Sequence, residues 1–292
     1  MTISIVIPTK NRAQLLELCL TSLANQTIIP DEVIIIDNNS TDHTKLVIKK
    51  LSSTLSIIRC VSKKNNYPGL YNLGINKAQG NIIACLDDDC WVEESWVENI
   101  ISAQKKHPKS VIQGRIISYP QNNTYARIMA QHYKHWLETH FLSDKTLSVL
   151  DTKNVSFPKK IIKNNLFATN LQLGSHDIEL GKRLVSQNIN IYYQENVIAH
   201  HKERTTFKDF ISQHWRIAQS EARLNQYLPK QQTNLIFSQK NLKSLVWLIK
   251  LIAKQLSKLK IKQTIQIILL YLILIVIRVS GFVYSQVNKK SP

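Results

Sequence analysis

The sequence predicts an α/β protein, a mostly parallel sheet flanked by helices, with a helical tail at its C-terminal end. Three observations carry this. As far as Ile117, short β-branched runs alternate with helical patterns joined by short connections, as parallel strands with right-handed crossovers require. Acids stand directly after two of those runs, at Asp37 and at Asp87-Asp88-Asp89, where strands leave the sheet. The composition then changes after Glu221, beyond which there is no acidic residue, while Arg223 and eleven further Lys or Arg stand among long aliphatic runs.

Ile3-Ser4-Ile5-Val6-Ile7 reads as the first strand and ends at Pro8-Thr9-Lys10-Asn11-Arg12. A helix follows, with Leu15, Leu16, Cys19, Leu20 and Leu23 on one face. Glu32-Val33-Ile34-Ile35-Ile36 is the second strand, and Ser40-Thr41-Asp42 offers the capping chemistry for a helix running to Leu51. Ser56 to Val61 is the third strand, and after a loop a helix from Leu70 to Ala78 is terminated by Gly80. Asn81 to Leu86 is short and apolar, a strand buried on both faces. A helix is expected to begin near Trp91 and pass through Trp96, Ile100 and Ile101, followed by a strand from Val111 to Ile117. The aromatic residues from Tyr119 to Phe141, Tyr133 and Trp136 among them, read as a packed helix.

Three adjacent carboxylates repel one another, and a chain with 38 Lys+Arg against 20 Asp+Glu gains nothing by clustering them unless they hold a cation. Alternation along an extended chain turns Asp87 and Asp89 to the same side. Hard oxygen ligands, with no His or Cys beside them able to complete a softer set, suit Mg²⁺ or Mn²⁺ shared with substrate phosphates. The competing reading is a helix cap, because the helix expected at Trp91 gains from negative charge at its N-terminus; one acid suffices for that. Asp37 has two readings also, as partner of a ribose hydroxyl or base after the second strand, or as the cap of the turn Asn38-Asn39-Ser40.

Several stretches, taken together and in this order, resemble glycosyltransferase family 2 on a GT-A fold, which implies a nucleotide-binding sheet that is mixed, mostly parallel and flanked by helices. These stretches are Ser4 to Arg12, Ser22-Leu23 with Gln26-Thr27, Asp37 with Ser40, Asp42 and Thr44, Asn66 with Gly69, Asn72-Leu73-Gly74, and Leu86-Asp87-Asp88-Asp89. The resemblance implies that Pro8, Thr9, Arg12, Asp37 and Asn72 line a nucleotide-sugar pocket together with Asp87 and Asp88. Asp87 and Asp89 would form the DxD pair, with Asp89 the direct metal ligand and Asp87 nearer the ribose. More loosely, Thr152 to Phe157 is similar to the family's acceptor loop, and Ser175 to Leu184 to its acid-Asp motif. There His176 stands where the family has Glu, and Asp177 is left as the base. The same segment offers Arg183 to phosphate groups, and a strand ending in His200-His201 offers His200 to the metal. Asp177 and Glu179 also fit as ordinary first-turn acids of a helix starting at Ser175. The resemblance implies an inverting, metal-dependent transfer of sugar from a nucleoside diphosphate to a hydroxyl on a glycan or lipid-linked acceptor in envelope or exopolysaccharide synthesis. The rivals are a nucleotide-sugar-binding membrane adaptor with a dead site and an Asp-dependent phosphohydrolase.

The formal net charge of +18 first suggests nucleic acid. Its concentration after Glu221, without zinc-finger spacing, an RNP-like signature or a basic zipper, favours an anionic membrane surface instead. The expected division is a catalytic domain over 1–225 and a basic amphipathic and hydrophobic tail over 226–292. Lys250, Lys254, Lys258 and Lys262 recur on one helical face, and 264–287 is long enough to span a bilayer if Arg278 snorkels or meets a partner. The lysines before that segment set the catalytic domain at the cytoplasmic face of the membrane. Cys19, Cys60, Cys85 and Cys90 form no CxxC pair and read as reduced residues in apolar segments.

Overall fold

A computed structural model describes residues 1–63, 66–171, 174–227, 270, 272–277, 279–280 and 283–284. The chain divides into two compact units, Met1–Gln172 with His176–Thr205, and Leu173–Ser175 with Thr206–Pro292. The first unit begins β1 (Ile3–Thr9), α1 (Ala13–Ala24), β2 (Glu32–Asp37), α2 (Thr44–Leu51), β3 (Ile57–Val61), α3 (Tyr67–Lys77) and β4 (Ile82–Cys85). It continues through β5 (Cys90–Val92), α4 (Trp96–Lys106), β6 (Val111–Tyr119), α5 (Thr124–Glu138) and β7 (Thr146–Leu147). A 3-10 turn (Thr152–Asn154), β8 (Val155–Pro158), α6 (Lys159–Asn164), α7 (His176–Ser186) and β9 (Ile191–Lys202) complete it.

One sheet runs in the order β3-β2-β1-β4-β8-β6-β9-β5, with β7 also paired to β9. β1 pairs in parallel with β2 and β4, and β2 with β3. β8 lies antiparallel between β4 and β6, while β9 is parallel to β6 and antiparallel to β5 and β7. Of the nine described strands, β5, β7 and β8 run against the other six, so the sheet is mixed with most strands parallel. β8 follows a long excursion through α5 and β7 in place of a single crossover helix, so it enters the sheet from the opposite end.

Every residue of β1 and β2 is buried, as their double-faced apolar runs require. Ile3, Ile5 and Ile7 meet Leu16, Cys19, Leu20 and Leu23 of α1 in one layer. Val6, Ile34 and Ile36 meet Leu70, Tyr71 and Ile75 of α3 in the other. Gly74 makes the second layer close, since a Cβ there would stand 2.3 Å from Cγ1 of Val6. Asn66 caps α3 by accepting from the Gly69 amide, and Pro68 sits in its first turn, so this helix starts three residues before the Leu70 expected from periodicity.

The acids at 87–89 are not a helix cap. Cys90–Val92 pairs with β9, and the helix expected near Trp91 begins only at Trp96. In the second unit α8 (Phe207–Tyr227) is the long element, and the described residues within 270–284 are helical. The amphipathic stretch 245–262 lies outside the described residues, as does much of 264–287. Among the described residues no helix is long and apolar enough to cross a membrane.

Candidate active site

The parallel register brings the ends of β1, β2 and β4 to one edge, with Thr9 opposite Asp37 and Val6 opposite Cys85. In open α/β sheets this carboxyl edge is where ligands bind. The three acids that follow β4 divide their work. Asp88 turns inward, is almost completely buried, accepts from the Thr9 hydroxyl at 2.7 Å and meets Arg12 Nη1 at 2.9 Å. Arg12 also reaches Asp89 Oδ2 at 3.0 Å and so ties the two carboxylates together. Asp87 is held by the hydroxyls of Tyr71 and, at 3.4 Å, Tyr67. Burial raises the Asp87 and Asp88 pKa values to about 6, with the charge of Asp89 adding to both.

The other oxygen of Asp89, Oδ1, is buried, accepts no hydrogen bond among the described residues, and lies 3.5 Å from Nε2 of His201. Trp91 pairs with His200 and Cys90 with His201, so the two imidazoles leave β9 on opposite faces. His200 stacks on Trp91 at 5.3 Å and meets Glu93 Oε1 at 2.6 Å. The imidazole facing the acidic cluster is thus His201, a correction of one residue that strand alternation explains. Its Nδ1 donates to Glu203 Oε1 at 2.9 Å, and Glu203 also accepts from Ser118 at 2.8 Å, which fixes the ring. Burial disfavours charge on His201, but Asp89 and Glu203 outweigh it and raise its pKa. Among the described residues no group of three or more His, Cys, Asp or Glu stands ready to enclose a metal by itself.

Several residues expected in the pocket are engaged elsewhere. Asn72 uses both ends of its amide on the Phe167 backbone, at 2.9 Å each way, and clamps that loop. Arg183 holds Glu179 at 2.8 Å and the Leu166 carbonyl at 2.8 Å, so its fork is occupied by protein acceptors. Asp88 faces Thr9 and Arg12, not the edge of the cleft. Asp37 does reach the edge, yet it is fully buried, with Oδ1 accepting from the Ser40 amide at 2.8 Å and Oδ2 bound by Arg59. Burial opposes its charge, and the hydrogen bonds from Ser40 and Arg59 prevail and lower its pKa. Pro8 is buried within β1.

Asp177 stands in the first turn of α7 and accepts from the Ile178 amide at 2.8 Å. Burial raises its pKa to about 7, the charge of Asp151 adds to this, and Lys153 works against it. His176 turns instead into a cluster with Phe167 at 5.4 Å, Tyr67 at 6.2 Å and Tyr71 at 6.5 Å. Burial lowers its pKa to about 4, so it is a neutral packing residue and carries no charge toward Asp177. In the neighbouring loop Asn154 is a keystone, accepting from Trp96 Nε1 at 2.8 Å and donating to the carbonyls of Arg115 and Val197.

The model of Glycosyl transferase family 2 matches residues 4–167. Glycosyltransferase AglE of Haloferax volcanii is 24% identical over 228 residues, 75% of this chain and 72% of that protein. A Methanococcus voltae dolichyl N-acetyl-alpha-D-glucosaminyl phosphate 3-beta-D-2,3-diacetamido-2,3-dideoxy-beta-D-glucuronosyltransferase is 28% identical over 234 residues, 72% of this chain and 70% of that protein. Among solved structures, a mannosyltransferase from Pyrobaculum calidifontis in complex with GDP-Man and Mn²⁺ superimposes with a TM-score of 0.68 over 99% of this chain and 88% of its own. At 14% identity that likeness establishes the fold. The match covers more than half of the chain and includes β1, β2, β4 and the three acids after β4, so this protein belongs to glycosyltransferase family 2 and is a glycosyltransferase with a GT-A-like fold.

Proposed function

We propose that the protein moves a sugar from a nucleoside diphosphate donor to a hydroxyl on a glycan or lipid-linked acceptor, in a single inverting displacement that depends on Mn²⁺ or Mg²⁺. The observation that carries this reading is Asp89 Oδ1, a buried carboxylate oxygen that accepts no hydrogen bond among the described residues, facing an imidazole nitrogen that Glu203 holds in place. Asp89 and His201 would offer one oxygen and one nitrogen donor to a divalent ion, which would supply charge stabilisation for a diphosphate. Asp87, oriented by two tyrosines, stands beside them. A bound ion supplies Lewis-acid stabilisation of the departing diphosphate. Asp177 takes the proton of the acceptor hydroxyl as that oxygen attacks the anomeric carbon, and the electron pair of the breaking bond leaves with the diphosphate. The nucleotide lies along the β1–β2 edge past Thr9, Arg12 and Asp37. Membership of the family sets aside the phosphohydrolase, and His176, packed among aromatic rings, leaves Asp177 in place against the dead-site reading.

A panel of UDP- and GDP-sugars with Mn²⁺ tests this. One donor should release nucleoside diphosphate only when acceptor is present, and the rate should fall about tenfold per pH unit below pH ~7, as Asp177 takes up a proton before the acceptor can supply one. Release without acceptor, or a flat acid limb, would contradict the reading.

We further propose that residues 226–292 bind membrane lipid and hold the catalytic region at the cytoplasmic face. The absence of acids after Glu221, with lysines at four-residue spacing, supports this. The full chain should sediment with membranes and resist high salt and carbonate, whereas a chain truncated after Pro229 should be soluble. Release of the full chain by salt alone would reduce the tail to an electrostatic contact.

A further inference from the structure

The segment before β8 carries a charged pair that the sequence does not single out. Asp151 and Lys153 meet at 2.8 Å, with both side chains largely withdrawn from solvent. Asp151 is fixed from both sides, its amide donating to Gln113 Oε1 at 2.7 Å and its Oδ1 accepting from the Lys153 amide at 3.0 Å. Gln113 in turn donates to the Asn154 carbonyl at 3.0 Å, so the pair stands on a braced turn. The Lys153 ammonium lies 5.6 Å over the ring of Tyr133.

The packing of α7 brings this pair to Asp177. At Gly181 the helix rests directly on the chain just before Asp151, because a Cβ there would stand 2.6 Å from Cα of Val149 and 2.7 Å from the amide of Leu150. Asp177 lies four residues before Gly181 and therefore shares its helical face. The glycine contact thus puts Asp177 on the helix face that packs against the chain leading into Asp151. On the helix of Asp177 itself, Glu179 is paired with Arg183 at 2.8 Å, and His176 is neutral among aromatic rings. From the facing element Asp151 and Lys153 act on Asp177 by charge, and the same pair acts on Asp87.

We propose that the Asp151–Lys153 pair is the positioning partner of Asp177. Asp151 strengthens the Asp177 carboxylate as acceptor of the hydroxyl proton, and Lys153 limits that effect so that the carboxylate is ionised again before the next acceptor binds. The step balances: the proton goes from the acceptor oxygen to Asp177, the oxygen–anomeric carbon bond forms, and the sugar–diphosphate bond breaks with its electrons leaving on the diphosphate. This rests on the reading of Asp177 as the proton acceptor. The direction of the Asp177 pKa is consistent with it.

The test is carbon-13 NMR of the detergent-solubilised full chain labelled at aspartate Cγ, with the Asp177 signal assigned by its loss in Asp177→Asn. In the wild type that signal should titrate near pH 7. Asp151→Asn removes a nearby negative charge and should move the midpoint down by roughly one unit, whereas Lys153→Met removes a positive charge and should move it up by a similar amount. Lys153→Arg, which keeps the charge, should restore the wild-type midpoint. Opposite shifts are not what loosened packing produces. Midpoints unchanged in both variants, or moved in the same direction, would overturn the proposal. If the shifts occur but Asp177→Asn transfers sugar at the wild-type rate, the pairing stands and the role of Asp177 as base fails.

Discussion

Asp177→Asn should cut kcat by roughly 10²–10⁴-fold, the usual contribution of a positioned general base, while donor affinity stays within about twofold of wild type. The amide is isosteric and still accepts from the Ile178 amide, so α7 keeps its first turn. The substitution removes only the ability to take a proton. A carboxylate raised toward neutrality by burial is a stronger base than an exposed one, and that advantage is lost with the charge. If Asp177 were merely a first-turn acid favoured by the helix dipole, its loss would cost about 0.3–1 kcal/mol of stability and leave turnover unaffected. Collapse of donor affinity would instead make Asp177 part of the diphosphate site.

Asp89→Asn should lower kcat/KM by roughly 10²–10³-fold, as expected when one preorganised group that meets developing charge is removed. EDTA should do the same to the wild type. The side chain is partly accessible, and Arg12 keeps its 2.9 Å partner in Asp88, so the fold should persist. What changes is the ligand: an amide oxygen beside His201 is a poorer donor for a hard divalent cation than a carboxylate. Asp88→Asn should differ in kind, because Asp88 faces Thr9 and Arg12, and should show first as lost stability. Full activity of Asp89→Asn in metal-free buffer would remove the acidic cluster from the mechanism.

The β-α alternation through β4 was legible because its signals are local: β-branched runs buried on both faces and acids ending the strands, although the start of α3 at Asn66 and Pro68 reads as loop. Beyond β4 the sheet depends on distant partners. No periodicity marks Cys90–Val92 as a strand, since it exists only by pairing with β9, far along the chain. The antiparallel entry of β8 follows from the length of the excursion before it, which local pattern does not encode. The site divides in the same way. Asp87, Asp89 and Asp177 could be picked out by motif, but which of two adjacent histidines faces Asp89 depends on the pairing register. Asn72 and Arg183 have the chemistry of phosphate and nucleotide ligands, and the structure uses that chemistry on backbone carbonyls and on Glu179 instead. Asp151 lies outside any motif and Lys153 falls in the acceptor-loop stretch without a role of its own there, and only the close approach at Gly181 brings the pair into play.

The central claim is that holding the donor and accepting the proton belong to different carboxylates of one cleft. The most direct test is calorimetric: the affinity of the turned-over nucleotide sugar, in Mn²⁺, for the wild type, Asp177→Asn and Asp89→Asn. The account predicts that Asp177→Asn binds as the wild type does and that Asp89→Asn binds at least about tenfold more weakly, a difference of ~1.4 kcal/mol. Equal losses in both variants, or a loss confined to Asp177→Asn, would contradict it.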